Sequence, residues 1–296
     1  RGDRGADLGC GVGGCRRGCA RAGRRRRARR RLPPARAGGE GGAQAGHGEQ
    51  SSASGEFHAR RVRPGPAPPP AMTTATCYRR HAVITEQDVA TAAAAVCWAR
   101  AAAWTELAAL TARWRAATPF PHLVVDDLLS EDDLATVMAV LDDEVVELYQ
   151  ADLYAFDATA PEPASAGLRA LRASLTAALA PPLGALCGRA LGRADLRAFG
   201  YRPGHHLLPH TDHQVELGRV LAYIYYLPTP RPPRGGELEL YWCRREGDEL
   251  VDITSAALVE PRPNRLVVFE VGATSLHQVR EVEEGLRLSL AGWFYP

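Results

Sequence analysis

The last hundred residues of the chain consist of short apolar runs separated by turn sequences. From Arg197 onward, stretches rich in Tyr, Val, Leu and Phe alternate with Pro- and Gly-containing breaks at 203–204, 228–236, 261–264 and 283–285. Short strands with such turns are typical of β-sandwiches and β-barrels, which protect their strand edges. We therefore expect an α+β fold with a distorted double-stranded β-helix (jelly-roll) core and supporting helices near the N-terminus.

The chain before these strands has the apolar spacing of helices. Residues 85–116 predict one amphipathic helix, ended by Pro119 and Pro121, because apolar residues recur mainly at steps of three, four and seven. These apolar residues are Val89, Val96, Trp104, Leu107, Leu110 and Trp114.

Two further helices are expected beyond residue 125. Ser130 stands three positions before Asp133, as at a helix N-cap, and the helical spacing that follows continues to Val145. An Ala- and Leu-rich stretch predicts another helix from Ser165 to about Leu179.

The first 71 residues differ from the rest in charge. They carry 16 Arg against 5 acidic residues, a net charge of +11, whereas the remainder carries 20 Arg against 29 acidic residues, a net charge of −9. Because the extension is rich in Gly, Ala, Pro and Arg and lacks apolar periodicity, we expect it to be disordered. Its arginine run at 24–31 has the composition of a nuclear address, but we expect no direct nucleic-acid binding by the folded, acidic remainder.

Targeting and cysteine patterns indicate a reducing compartment. No apolar run reaches the roughly 18 residues of a membrane span, and neither the start of the chain nor the segment after Met72 has the pattern of a signal peptide. The seven Cys are scattered without a zinc spacing or a disulfide framework. We therefore expect a cytoplasmic protein, with the nucleus as the alternative, and no membrane partner.

Two histidines and an aspartate have the chemistry of an iron site. His210 and Asp212 are two residues apart, so on an extended segment their side chains leave the same side of the backbone. A third ligand must come from a distant strand, and His277 is the best candidate. Two imidazoles and a carboxylate hold non-haem Fe(II) on one face and leave the other face open for a co-substrate and dioxygen. His205, His206 and His213 are expected to be bystanders.

Arg287 is the candidate binding residue for an anion. In the run 286–290, strict alternation places Arg287 and Ser289 on one face of a strand and three leucines on the other. An arginine that faces an apolar interior needs an anion, which a dicarboxylate co-substrate or, alternatively, a buried Glu supplies. Tyr226 faces the opposite way from Tyr223 and Tyr225, so one of these phenols could bind the same carboxylate.

These residues belong to a longer pattern, which is Tyr201-x-x-Gly204, His210-x-Asp212, Gly235-Gly236-Glu237, His277 and Arg287-x-Ser289-x-x-Gly292-Trp293. The pattern resembles that of the iron(II)- and 2-oxoglutarate-dependent dioxygenases of the prolyl-hydroxylase group. Within this group the resemblance is greatest to the eukaryotic ribosomal-protein prolyl hydroxylases and extends over residues 118–295. Further matching stretches are residues 119–122, 152–156, 235–241, 264–271 and 275–279.

The resemblance implies a set of roles for these residues. His210, Asp212 and His277 would bind and use Fe(II), while Arg287, Tyr226 and Ser289 would bind 2-oxoglutarate. L-ascorbate would serve as reductant, O2 as co-substrate, and a prolyl residue of a protein, such as a ribosomal protein, as substrate. The domains would be a disordered extension (1–71), an N-terminal helical segment (72–118) and a dioxygenase domain (119–296).

Three alternatives to a protein hydroxylase stay open on the sequence alone. The first is a hydroxylase of a free amino acid or another small metabolite, and the second is a non-catalytic module that senses oxygen or 2-oxoglutarate. The third, a zinc hydrolase with the same ligands, leaves Arg287 without a role.

Overall fold

The computed structural model describes residues 29–31, 85–99, 104, 106–142 and 144–296. Apart from residues 29–31, the extension that we expect to be disordered lies outside the described residues. The helices are α1 (Glu86–Ala94), α2 (Leu107–Ala116), α3 (Glu131–Leu141) and α4 (Ala166–Cys187).

Short strands make up most of the remaining described chain. They are β1 (Arg29–Arg31), β2 (His122–Val125), β3 (Val145–Ala151), β4 (Tyr154–Ala158), β5 (Arg193–Ala194), β6 (Arg197–Tyr201), β7 (His206–His210), β8 (Leu221–Leu227), β9 (Arg234–Gly235), β10 (Leu238–Glu246), β11 (Glu249–Val259), β12 (Leu266–Glu270), β13 (His277–Val279), β14 (Val282–Glu284) and β15 (Arg287–Tyr295).

The strands build a curled antiparallel sheet of 13 strands. Its main order is β11-β10-β13-β7-β4-β6-β15-β8-β12-β2, with β3 beside β4, β1 beside β3 and β5 beside β15. β9 and β14 form a separate pair. The predicted α+β fold, with helices supporting a jelly-roll core, is confirmed.

The two faces of β8 contribute to different cores, because side chains alternate along a strand. Tyr223 and Tyr225 pack outward with the helices, whose largest contribution is a row of α4 residues: Leu168, Leu171, Leu175, Leu179, Leu183 and Leu186. Ile224 and Tyr226 pack inside the curl, where Phe269 is one of their neighbours. The helical layer therefore holds the sheet from outside and leaves its inner face to the site.

The prediction of a single helix over residues 85–116 is wrong, because α1 ends at Ala94 and α2 begins at Leu107. Trp98 lies between them and is fully buried. Its indole Nε1 donates a hydrogen bond to Ser174 Oγ at 3.0 Å, and Ser174 Oγ in turn donates to the Ala93 carbonyl at 3.1 Å. Burial of this indole against α4 requires a turn that a continuous helix does not provide.

The other helices differ from expectation at their C-terminal ends. Ser130 caps α3 as predicted, since its hydroxyl accepts a hydrogen bond from the Asp133 amide at 3.1 Å. That helix ends at Leu141, and Val145 starts a strand instead.

The last helix, α4, continues past the expected end to Cys187 in spite of Pro181 and Pro182. Leu183 and Leu186 prolong its buried row, so packing extends the helix beyond the prolines. By length and composition α4 is long and apolar enough to cross a membrane. Its leucine row packs in the core that the helices form with the outward-facing side chains of β8.

The β3–β4 hairpin was not predicted. Most of β3 is exposed, so its residues lack a clear apolar alternation. β1 pairs with its outer edge in antiparallel register, with Arg29 opposite Glu147. On its inner side β4 pairs with β6 and β7, which brings the hairpin beside the candidate site.

Candidate active site

Two strand ends bring His210, Asp212 and His277 together. His210 is the last residue of β7 and pairs with His277, the first residue of β13, while Asp212 lies two residues beyond β7. One ligand atom from each residue lies within 4.8 Å of the other two. The two His Nε2 atoms are 3.8 Å (His210) and 3.6 Å (His277) from the Asp212 carboxylate. The geometry suits one shared metal ion, and the ligand roles stay a prediction.

Both imidazoles are oriented for metal binding through Nε2. Nδ1 of His210 lies 2.8 Å from the Leu208 carbonyl oxygen, and Nδ1 of His277 lies 2.9 Å from the Ser275 carbonyl oxygen. Because a carbonyl only accepts hydrogen bonds, each Nδ1 carries the hydrogen and each Nε2 has a free lone pair. The neutral tautomers required of metal ligands are thus fixed by the backbone.

Burial favours the neutral form of His277. The residue is 5% exposed, and the edge of its ring contacts Phe269 with ring centroids 4.6 Å apart. This burial lowers the pKa of His277, nearby His210 lowers it further, and Asp212 partly opposes the shift. His277 is therefore available as a ligand well below neutral pH, while the more exposed His210 marks the open side of the cluster.

Arg287 is a buried cation without a protein counterion. It is 2% exposed, and it forms no ion pair with any residue that the structure describes. Its Nη atoms lie 3.4 Å from Ser289 Oγ and 3.4 Å from the Tyr226 hydroxyl, and its Nε has no hydrogen-bond partner. The alternative of a buried Glu partner is not observed. Because a buried charge without a partner destabilises the fold, this site favours binding of an anionic ligand.

Aromatic rings complete the surroundings of this guanidinium. Arg287 Cζ lies 4.7 Å from the ring centroid of Tyr201 and 4.9 Å from that of Tyr226. Burial raises the pKa of Tyr201 to about 12, with Arg287 opposing the shift, so the phenol stays protonated at neutral pH. The Tyr201 hydroxyl can therefore donate a hydrogen bond to an anion.

A glycine lets the chain pack against the stem of Arg287. Gly236 has a φ of +75°, and a Cβ atom there would lie 2.8 Å from Val282 Cγ2 and 3.0 Å from Arg287 Cδ. Any other residue would displace the arginine or strain the turn. Steric contact with Val282 and Arg287 thus explains why the Gly235-Gly236-Glu237 motif has glycine at position 236.

The His/Asp cluster and Arg287 line the same cavity of about 420 Å³. Its walls include Leu153, Tyr154 and Phe156 of the β3–β4 hairpin. This volume lies in the range of small-molecule sites, roughly 300–1,000 Å³. The cavity can hold a small diacid between a metal ion and a guanidinium, with space left for part of a second substrate.

Arg219 is a site residue that the sequence analysis missed. Its Nη1 lies 3.7 Å from Asp212 Oδ1, and its guanidinium stacks 3.6 Å from the ring centroid of Trp293. Arg219 Nε and Trp293 Nε1 are buried donors without partners, and both residues line the cavity. The available signal was the position of Arg219 immediately before the buried run of β8. Arg197 also lines the cavity and was not predicted as a site residue.

The three other histidines near the site, His205, His206 and His213, lie outside the three-residue cluster. Burial lowers the pKa of His205, and His206 Nδ1 lies 3.2 Å from the Gly204 carbonyl oxygen. His206 lines a neighbouring groove with Arg234 and Glu283. The structure thus separates His205, His206 and His213 from the candidate metal ligands.

The part of the chain that holds these residues matches a known family. Residues 196–295, which include all of the candidate site residues, match the 2OG-Fe(II) oxygenase superfamily. The chain carries a 2OG-Fe(II) oxygenase domain. The cofactors of such a domain are Fe(II) and 2-oxoglutarate, and both fit the donor sets found here.

Similar proteins include prolyl hydroxylases. The chain is 38% identical over 104 residues to prolyl 3-hydroxylase OGFOD1 of Mus musculus, which covers 34% of this chain and 18% of that protein. It is 33% identical over 187 residues to prolyl 3-hydroxylase OGFOD1 of Xenopus laevis, covering 60% of this chain and 35% of that one. The chain thus spans 35% or less of these relatives. A Pseudomonas putida prolyl-4-hydroxylase structure is 22% identical, with a TM-score of 0.45, and covers 64% of this chain and 98% of that one.

Proposed function

We propose that the chain hydroxylates a prolyl residue of a protein substrate, using Fe(II), 2-oxoglutarate and O2 and releasing succinate and CO2. The observation that carries this proposal is the buried Arg287, which has no ion-pair partner among the described residues and lies in the same cavity as a His/Asp/His cluster. A metal site alone fits several chemistries, whereas a guanidinium fixed beside it selects for an anionic co-substrate. The prolyl 3-hydroxylases among the relatives suggest the reaction.

Each side chain has a distinct part in this proposal. His210, Asp212 and His277 would hold Fe(II), while Arg287, Tyr226 and Ser289 would hold the far carboxylate of 2-oxoglutarate. When bound, the iron and 2-oxoglutarate supply the oxidising power that inserts one atom of dioxygen into a C–H bond. The protein positions the target carbon and excludes bulk water.

Arg219 and Trp293 would contact the substrate. Both residues line the cavity, Arg219 lies beside Asp212, and each has a buried N–H group without a partner that a substrate carbonyl could satisfy. Satisfying such buried donors favours binding of a polar backbone group over an apolar one.

A ribosomal protein in the cytoplasm is the substrate that we propose. Residues 72–296 have a net charge of −9, and a negative surface attracts basic proteins at long range. The named relatives support hydroxylation of proline, and the choice of a ribosomal target follows from the resemblance of the sequence. We also propose L-ascorbate as reductant, which predicts that turnover declines with repeated cycles unless ascorbate is added.

Anaerobic titration followed by product analysis tests this function. Fe(II) and 2-oxoglutarate together should give a visible charge-transfer band, and admission of air with a ribosomal extract should yield a hydroxylated prolyl residue by mass spectrometry. His210→Ala and His277→Ala should abolish the charge-transfer band and the hydroxylated product. His206→Ala, a change on the same strand as His210, should retain the band and the product.

Other results would favour the alternative functions. Partner capture that persists in the two His→Ala variants without oxidised product would indicate a non-catalytic sensor. Activity restored by zinc without 2-oxoglutarate would indicate a hydrolase and overturn the proposal.

A further inference from the structure

A second cavity-lining arginine lies on the strand beside Arg287. In the β6–β15 pair, Tyr201 is opposite Arg287, Phe199 is opposite Ser289 and Arg197 is opposite Ala291. Residues two apart share a face of a strand, so Arg197 belongs to the same inner row as the anion site. Arg197 is four positions from Tyr201, which places it roughly 13 Å along the strand. Arg197 thus lies toward the opposite end of the cavity.

The guanidinium of Arg197 is held in place by neutral partners. Its Nε and Nη2 donate to the Thr159 carbonyl oxygen at 2.9 Å and 2.6 Å. It lies over the rings of Tyr149 and Phe199, with Cζ 4.9 Å and 5.2 Å from their centroids. Arg197 forms no ion pair within the described part of the chain. Arg197 also has a side-chain hydrogen bond with Tyr149. The N–H groups of this fixed fork that are not used by Thr159 and Tyr149 are available to a ligand.

The charge balance of the cavity indicates the sign of that ligand. Among the described residues that line it, Asp212 is the only acid, against Arg197, Arg219 and Arg287. Fe(II) and the 2-oxoglutarate dianion cancel each other in formal charge, so the loaded cavity keeps an excess of two positive charges. The guanidinium of Arg287 would lie against a carboxylate of the co-substrate, and that of Arg219 lies beside the Asp212 carboxylate. Of the three arginines, Arg197 is the one with no acidic group beside it among the described residues that line the cavity.

We propose that Arg197 is a specificity-determining residue that binds a carboxylate of the substrate while the target carbon lies at the metal site. This rests on the proposed function and adds a local requirement to it. A basic protein is attracted at long range, but the segment that enters the cavity carries an acidic group within a few residues of the proline. The same chemistry is available from the α-carboxylate of a free amino acid.

Matched peptides test this assignment. The probes are acetylated and amidated heptapeptides with a central Pro, in which Glu, Gln or Lys occupies each of the other positions in turn. At one position or more, the Glu peptide should exceed the Gln peptide in kcat/KM by about tenfold, equivalent to about 1.4 kcal/mol. Arg197→Gln should bring this ratio to about one, and Arg197→Glu should favour the Lys peptide instead. Arg197→Lys should keep part of the selectivity.

A control arginine separates selectivity from general damage. Arg193 lies on β5, is 62% exposed at its side chain and pairs with Asp195 outside the cavity, so Arg193→Gln should keep the wild-type Glu/Gln ratio. Thermal unfolding checks that the Arg197 variants fold. Equilibrium binding of the same peptides, measured by fluorescence anisotropy without O2, gives a readout that does not depend on turnover.

The outcomes distinguish the two proposals. Equal turnover and equal binding of Glu and Gln peptides by the wild type would overturn the role of Arg197 and leave prolyl hydroxylation intact. Oxidation of free proline but not of prolinamide or the peptides, lost in Arg197→Gln, would support Arg197 and overturn the protein substrate. Peptide selectivity that survives Arg197→Gln would overturn the role of Arg197.

Discussion

Two arginines that are close together in the curled sheet have opposite surroundings. Arg202, just after β6, donates from Nε to Asp157 Oδ2 at 2.6 Å, and that carboxylate side chain is 3% exposed. Arg287, at the start of the neighbouring β15, is buried without a carboxylate partner among the described residues. The fold supplies a counterion where the charge is structural and leaves it out where a ligand is expected. For Arg202 and Arg287, the presence or absence of a carboxylate partner therefore separates a structural role from a ligand-binding one.

The largest expected effect is loss of 2-oxoglutarate binding in Arg287→Met. Two charge-assisted hydrogen bonds are lost, each contributing about 1.5–3 kcal/mol, so the Kd for 2-oxoglutarate should rise by about 100-fold or more. Without ligand, the variant should be as stable as the wild type or more stable, because a costly buried charge is gone. Calorimetric titration and thermal unfolding, each with and without 2-oxoglutarate, measure both effects. Unchanged affinity would show that this arginine does not bind the co-substrate.

Arg202→Met should have the reverse profile. It leaves Asp157 buried without its partner, which should lower the free energy of unfolding by about 2–3 kcal/mol; the value is below that of a fully buried pair because the Arg202 side chain is 35% exposed. The affinity for 2-oxoglutarate should change little in protein that remains folded. Urea unfolding of Arg202→Met, Asp157→Asn and the double variant gives the coupling energy. Additive effects would mean that the pair contributes no coupling.

This contrast also shows how far sequence reasoning can reach. Alternation along 286–290 predicted that Arg287 and Ser289 share a face, and the structure places both on the inner face of β15. The spacing of His210 and Asp212 likewise depends only on local geometry. Whether Arg287 has an acidic partner could not be read from the sequence, because such a partner can come from any distant strand.

Other features depend on contacts between remote segments. The break before α2 follows from burial of Trp98 against α4, and helical periodicity alone carries no sign of it. Arg219 and Arg197 enter the site because the sheet curls, and their neighbours in sequence do not indicate that curvature. The predictable part is thus the local alternation, and the unpredictable part is which segments meet.

A smaller effect is expected from removing one phenol beside Arg287. Tyr226→Phe removes a hydroxyl 3.4 Å from Arg287 Nη2 and should weaken 2-oxoglutarate binding by about 1 kcal/mol, or roughly fivefold. The matched control is Tyr225→Phe on the opposite face of β8, where the hydroxyl donates to Asn264 Oδ1 at 2.7 Å. The control should lose about 1 kcal/mol of stability and leave the affinity unchanged. Equal affinity losses in both variants would remove the distinction between the two faces.

The smallest effect concerns an ion pair at the surface, between Arg265 and Asp126. Arg265 Nε lies 2.6 Å from Asp126 Oδ1, and the Asp126 side chain is 45% exposed. This hydrogen bond lowers the pKa of Asp126 below its ordinary value of 3.8. A lowered pKa stabilises the fold above that ordinary value, and the contribution is lost as the pH falls through the lowered pKa. Because solvent screens the pair, its contribution at neutral pH should stay below about 1 kcal/mol.

Urea unfolding of wild type and Arg265→Gln at pH 7 and at a pH below the lowered pKa measures this term. The stability difference between the two proteins should shrink on acidification and, at pH 7, on addition of salt. Arg262→Gln is the control, because Arg262 lies farther from the same carboxylate, at 3.7 Å, and should show a weaker pH dependence. A difference that is independent of pH would assign the effect of Arg265 to its packing and to its bond with the Glu260 carbonyl instead of to its charge. Such a result would restrict the contrast between paired and unpaired arginines to the buried sites.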